Sequence, residues 1–184
     1  MNRAALLIAC ALPLAGCDSS PEVSERNASV SDVANRVAEA SGNESFVRPG
    51  QWESKVTIQE MTMPGMPPEM AAQMKGFTGR VETHQSCLTP EEAKKPKEDF
   101  FAGGNENCRY DKFDMGGGKI DAVMKCAADQ GATHTMTMTG QYTPDTYAMQ
   151  MSMNAAGGDG PEAGMSMKMR VDAKRVGECT GKES

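Results

Sequence analysis

The segment Tyr147 to Val171, YAMQMSMNAAGGDGPEAGMSMKMRV, constrains the fold more than any other part of the chain. It carries two methionine triplets, Met149, Met151, Met153 and Met165, Met167, Met169, each spaced every second residue about a glycine-rich centre. Residues two apart share one face of a β-strand, whereas on a helix they would scatter around the cylinder. The segment therefore reads as a hairpin. Symmetry about the glycine loop sets Met149 opposite Met169, Met151 opposite Met167, and Met153 opposite Met165. The preceding stretch THTMTMTGQY puts His134, Met136, Met138 and Tyr142 on one face and threonines on the other. Eight methionines, Met136, Met138, Met149, Met151, Met153, Met165, Met167 and Met169, thus tile one sheet face, the candidate ligand face. Met61 and Met63 fall on the polar phase of an earlier strand, so a bulge or the proline loop must re-aim them, or they face solvent.

The same period-two grammar recurs upstream. Trp52, Val56 and Ile58 alternate with polar residues after the Pro49-Gly50 turn signal, a strand follows from about Gly79 to Cys87, and Ile120, Ala122, Met124 and Cys126 share an inward face. Pro68 can open a short helix running to about Lys75. Thr89 and Glu92 have capping-box spacing with Pro90 at the first helical position. Crossover helices are missing, so a parallel α/β fold is excluded. The expectation is a mainly β fold: an antiparallel meander of about seven or eight strands, curled or barrel-like as a lipocalin-like half-shell, with one or two short helices.

The chain begins MNRAALLIACALPLAGCDSS, with one basic residue and an apolar run from Ala4 to Leu14 that is too short to span a bilayer. Leu14-Ala15-Gly16-Cys17 resembles the bacterial lipobox, in which the signal is cut before a cysteine that is then lipidated. Residues 1–16 are expected to be a lipoprotein signal peptide, 17–45 a lipid-anchored flexible linker and 46–184 a Met-rich, disulfide-bonded β domain. Within the linker, Val30, Val33 and Val37 have helical spacing, enough for a short, marginal helix. Asp18 after the lipidated position resembles an inner-membrane retention signal, so the expected location is the periplasm, lipid-anchored, with the inner membrane favoured over the outer. Removing residues 1–16 takes away Arg3 alone among the charges, leaving 18 basic against 25 acidic residues, a formal charge of −7. An acidic surface argues against nucleic acid or an anionic membrane face as a partner. The expected partners are the membrane, through the lipid on Cys17, and a hydrophobic small molecule or an envelope protein.

Cys87, Cys108, Cys126 and Cys179 remain after the signal and the lipidated cysteine are set aside. An even count in an exported chain reads as disulfides, and the wide separations do not suit zinc. Of three pairings, sequence neighbours are the simplest, Cys87 with Cys108 and Cys126 with Cys179. Each closure contributes on the order of 3 to 4 kcal/mol on the loop-entropy model.

What the methionines do has a plain answer and sharper ones. After the signal the chain has one leucine, Leu88, and two isoleucines, Ile58 and Ile120, so methionine fills the core in their place. That choice has a cost, because fixing a buried Met loses up to about 1.5 to 2 kcal/mol of side-chain entropy against about 0.5 to 1 for Leu or Ile. Such a core is soft, which suits a surface adapting to irregular apolar ligands. A second reading is a Cu(I) or other soft-metal site at His134, Met136 and Met138, since thioether and imidazole select soft ions. A third is a structural or envelope-assembly partner, and a fourth an oxidant sink, since methionine sulfoxide is reversible. No hydrolase, phosphate-loop, dinucleotide or zinc-protease motif is present. The expectation is a non-enzymatic protein without a catalytic residue or a resident cofactor.

Together RPGQWE, MPGMPPEM, CLTPEEA, the later cysteines, the MTMTG strand and the closing AKRVGEC resemble one bacterial family, Domain of Unknown Function 3617, over about Pro49 to Cys179. The resemblance implies small exported proteins of proteobacteria, often lipoproteins, with a four-cysteine β domain in the Gram-negative periplasm. It implies no activity, because the family has none assigned.

Overall fold

The computed structural model describes residues 22–42, 45–94, 107–128, 131–159 and 163–181. The lipidation position Cys17 lies outside them. Eight strands make one open antiparallel sheet in the order β1-β4-β5-β6-β7-β8-β2-β3. The centre is the expected meander: β4 (Cys108–Gly116), β5 (Lys119–Ala127), β6 (Thr133–Thr143), β7 (Thr146–Ala156) and β8 (Ser166–Gly177). The hairpin of β2 (Gly50–Thr62) and β3 (Val81–Leu88) extends it beyond β8, and β1 (Val23–Ser29) extends it beyond β4. Among the described residues strands β1 and β3 are the edges of the sheet, which does not close into a barrel. Among the described residues no helix is long and apolar enough to cross a membrane.

The chief departure from expectation is the N-terminal unit. Residues 23–41, read from their composition as flexible linker, form β1 and the helix α1 (Val30–Ser41). Ser29 caps α1 with a capping box: its hydroxyl accepts from the Asp32 backbone N–H at 3.1 Å, and the Asp32 carboxylate accepts from the Ser29 N–H at 3.3 Å. The valines at helical spacing then supply one apolar stripe, and Val33 and Val37 are 0% and 1% exposed. Burying each contributes roughly 1.5 to 3 kcal/mol, so tertiary packing makes a helix that local propensity leaves marginal. Because β1 and β2 lie on opposite sides of the meander, the chain between them must cross the sheet, and α1 and Phe46 are laid over its apolar face on the way.

The two other helices follow the sequence signals. Helix α2 (Pro68–Lys75) starts at its proline. Helix α3 (Pro90–Lys94) has the reciprocal Thr89–Glu92 box, with Glu92 N–H to Thr89 Oγ1 at 3.2 Å and Thr89 N–H to the Glu92 carboxylate at 3.1 Å.

The disulfide pairing also differs from the neighbour assignment. Cys108 bonds Cys126, its direct cross-strand partner on β4 and β5, and Cys87 bonds Cys179. The reason is topological. Strands β3 and β8 both flank β2, and Gln51 pairs with Cys87 on one side and Gly177 on the other, so the ends of β3 and β8 come together across one strand.

Candidate functional site: a methionine-lined sheet face

Parity puts the methionines on one face, and strand register arranges them in rungs. One rung runs Tyr110, Met124, Met136, Met153, Met167, Met61 from β4 to β2. The next runs Phe113, Ala122, Met138, Met151, Met169, Ile58 over the same strands. Side chains directly opposite across strands lie about 4.5 to 5.5 Å apart at Cβ, so neighbouring thioethers along a rung are within reach of one another.

The hairpin register differs from the symmetric one by two residues. Met151 faces Met169, Met153 faces Met167, and Met149 faces Val171. Ala155 and Gly164–Met165 close the ladder, with Ala155 N–H to Met165 O at 2.8 Å and Gly164 N–H to Ala155 O at 3.1 Å, which shifts the rungs while keeping every sulfur on its face. Met165 thereby ends beside Ala155 rather than Met153. Met61 joins the face because β2 is irregular between Ile58 and Glu60, which restores the phase that simple alternation denies it.

Among the described residues the face is covered on one side only. Under α1 and Phe46, Met124 and Met138 are 2% and 6% exposed, and Met136, Met149 and Met151 pack against the same buried cluster. The narrow apolar gap between Tyr110, Ala122, Met124, Met136 and Met138 has no room for a water molecule. Towards β7, β8 and β2 the cover ends: Met61, Met153, Met165, Met167 and Met169 are half-buried and stand outside that cluster. Beyond them, residues 81–86 of β3 are exposed and bring Glu82, His84 and Ser86 to the rim.

Aromatic rings close the end of the face at the β6–β7 turn. Phe46 meets Tyr142 edge-on at 5.7 Å, and Trp52 stacks on Tyr147 at 5.6 Å. Ala173 pairs with Tyr147 and is small enough for Trp52 and Tyr147 to meet over β8. The Trp52 indole N–H donates to Arg48 O at 3.0 Å, and Arg48 N–H donates to Pro144 O at 2.7 Å, strapping the Phe46 segment to the turn. Gly140 occupies the face between Ile120 and Met149, where a Cβ would lie 2.5 Å from Ala148 O and 3.0 Å from Met149 Cγ. Its missing side chain lets Met149 lie across β6. Burial pushes the phenols of Tyr110, Tyr142 and Tyr147 up from their ordinary values, so these rings serve the face as neutral groups.

His134 stands at the other end, in the rung of Cys126 and Ala155 beside the Cys108–Cys126 disulfide. His134, Met136 and Met138 share the face but follow one another along a single strand, spanning about 13 Å at the usual rise. An ion at this end would therefore draw its ligands across strands, from His134, Met136 and Met153, rather than along β6. The opposite face of the sheet is polar, with an open groove of about 580 Å³ lined by residues including Glu53, Lys55, Lys119, Gln141, Asp172 and Lys174. Arg170 beside Asp172 holds that carboxyl below the usual range.

Sequence reasoning found the methionine face, its eight named members and the four bridged cysteines. It missed α1 as the cover, and the Phe46, Tyr142, Tyr147 and Trp52 wall. The available signals were the valine spacing in residues 30–37 and the aromatics clustered at two turns.

No curated protein and no solved structure matches the chain. A family profile described as protein of unknown function matches residues 47–179, leaving β1 and α1 outside it. By that match, which covers most of its length from just before β2 to the last cysteine, the chain belongs to the DUF3617 family.

Proposed function

We propose that this is a lipid-anchored periplasmic protein, non-enzymatic, that holds an apolar ligand against the half-covered methionine face. The observation that carries the reading is the asymmetry of the rungs: five methionines at the open side, Met61, Met153, Met165, Met167 and Met169, are half-buried yet take no part in the core cluster. A core residue is there to be covered, and these have no place in the core. Thioethers on unbranched side chains conform to irregular apolar shapes, which suits acyl chains better than rigid ligands. The aromatic wall at Trp52 and Tyr147 gives such a chain an end to abut, and the Glu82 and His84 rim gives a polar group a place to sit. Exported location rests on the signal and on two disulfides, which persist in oxidising compartments. The lipid on Cys17 and the inner-membrane preference from Asp18 belong to the same proposal.

The test is native mass spectrometry of the full chain released from membranes by mild extraction. A co-purified lipid that is lost from Met167→Lys supports the reading. A protein that arrives empty, together with unchanged behaviour of Met167→Lys, favours the structural or assembly role instead.

A soft-metal role is the second reading, and one observation favours it: His134 sits one rung from the facing pair Met136 and Met153. Micromolar or tighter Cu(I) uptake that disappears in His134→Ala would promote it above the ligand reading.

A further inference from the structure

All four cysteines of the β domain are spent in disulfides, Cys87 with Cys179 and Cys108 with Cys126. The oxidisable sulfur left among the described residues is therefore thioether, and it is sorted by burial along a single rung. Met124, at the covered end, is 2% exposed, while Met153, Met167 and Met61, at the open end, are half-buried and outside the core cluster. These three come from adjacent strands β7, β8 and β2 and stand directly opposite one another. Packing does not require methionine at this end, since the side chains are only partly enclosed and a leucine would lose less freedom on ordering.

We infer that Met61, Met153 and Met167 form a reversible oxidation site for hypohalous acids, and that their oxidation releases the apolar ligand. The first part stands on geometry alone. The second rests on the ligand reading above. In the reaction a sulfur lone pair attacks the halogen of hypochlorous acid, and hydroxide leaves. Water then adds to the chlorosulfonium, the S–O bond forms, and chloride and protons depart. The net change is thioether plus HOCl to sulfoxide plus chloride and one proton. Sulfur gives up two electrons and chlorine takes them. A thiol-dependent methionine sulfoxide reductase reverses it, two thiols becoming a disulfide as the sulfoxide oxygen leaves as water. Each sulfoxide turns a flexible apolar side chain into a polar one. Three adjacent conversions would place a polar strip across the open half of the face, where an acyl chain has to lie. Met124 and Met138, under α1, keep the core intact meanwhile.

The test uses the full chain in lipid nanodiscs, with hypochlorous acid added in small steps and the products read by peptide mass mapping. Met61, Met153 and Met167 are expected to gain one oxygen about tenfold faster than Met124 and Met138, and the two epimer-specific reductases to remove it. Equal rates along the rung, or a product the reductases leave untouched, would overturn the site. For the second part, a diazirine-bearing palmitate is photolysed in the same nanodiscs. Its adducts on the β7 and β8 peptides are expected to fall about fivefold after oxidation and to return after reductase treatment. In Met61→Leu/Met153→Leu/Met167→Leu, and in the single variant Met167→Leu as a check on folding, adducts are expected to persist through oxidation, fully in the triple variant and partly in the single one. Wild-type adducts that survive oxidation would overturn ligand release. Absence of adducts before any oxidant would instead overturn the ligand reading and release with it, while the oxidation map would still decide the site.

Discussion

Arg26 on β1 grips Asp114 on β4 through its two terminal guanidinium nitrogens, Nη1 and Nη2, at 2.7 and 2.9 Å, and Ser24 donates to the same carboxylate at 2.7 Å. Of the side chains on β1, only those of Val23 and Ala28 are buried, so this clasp adds to what they and the backbone ladder to β4 hold in place.

The clasp predicts a pH dependence. The hydrogen bond from Arg26, then that from Ser24, holds the Asp114 carboxyl at about 2, below its ordinary 3.8. A carboxylate with a depressed folded-state pKa contributes stability that is fully present above the unfolded value and is lost as pH falls through the folded one. Wild type should therefore melt above Asp114→Asn at neutral pH, with the gap narrowing from 3.8 downward and closing near 2. Thermal midpoints at stepped pH check this. A gap that stays constant over the interval would remove the charge from the account.

The burial gradient predicts unequal costs for one chemical change. Met138→Ala, at a site 6% exposed, should lose about 2 to 5 kcal/mol, because the cavity under α1 cannot collapse fully. Met167→Ala, on the open half, should lose less, about 1 kcal/mol, because its side chain is only half-buried. Urea unfolding of the two variants measures both, and equal losses would mean that the face is evenly covered.

The disulfides should differ in worth. Cys108–Cys126 spans 18 residues and Cys87–Cys179 spans 92. The loop-entropy relation gives about 3 kcal/mol for the shorter closure and between about 4 and 5 for the longer. Removing each pair by double alanine substitution and comparing unfolding free energies tests the order. Non-reducing peptide mapping tests the pairing, which any peptide joining Cys87 to Cys108 would refute.

Helix α1 should be separable from the rest of the sheet. Val33→Asp places a carboxylate where the wild-type residue is 0% exposed, at a cost of about 3 kcal/mol or more for an unsolvated charge. Amide exchange should accelerate in α1 and β1 while β6, β7 and β8 stay protected, and binding of an apolar dye should rise as Met124 and Met138 open. Uniform acceleration across the sheet would show that α1 is integral to the whole rather than a cover on half of it.

Strands β5 to β8 were legible because their side chains alternate without interruption, and parity alone decides which face a sulfur takes. Parity does not decide the rung. That depends on where the ladder closes, and Ala155 bonding Met165 moved every facing pair by two residues. Strand β1 was illegible for a different reason: VSERNAS has no alternation, and its partner Asp114 lies 88 residues from Arg26. Helix α1 showed its valine spacing and its cap, but its stability comes from a sheet that forms far along the chain. The disulfides needed the strand order, since nothing local brings Cys87 to Cys179. On the candidate site, the eight methionines were readable and the roof over half of them was not.

The position of Val23 at the start of β1 has a consequence for reach. With an acyl group on Cys17, only residues 18–22 separate the bilayer from the outermost strand, a leash of roughly 20 Å at full stretch. On the proposed anchoring, so short a tether would keep the protein at the leaflet that carries it instead of letting it ferry cargo between two membranes.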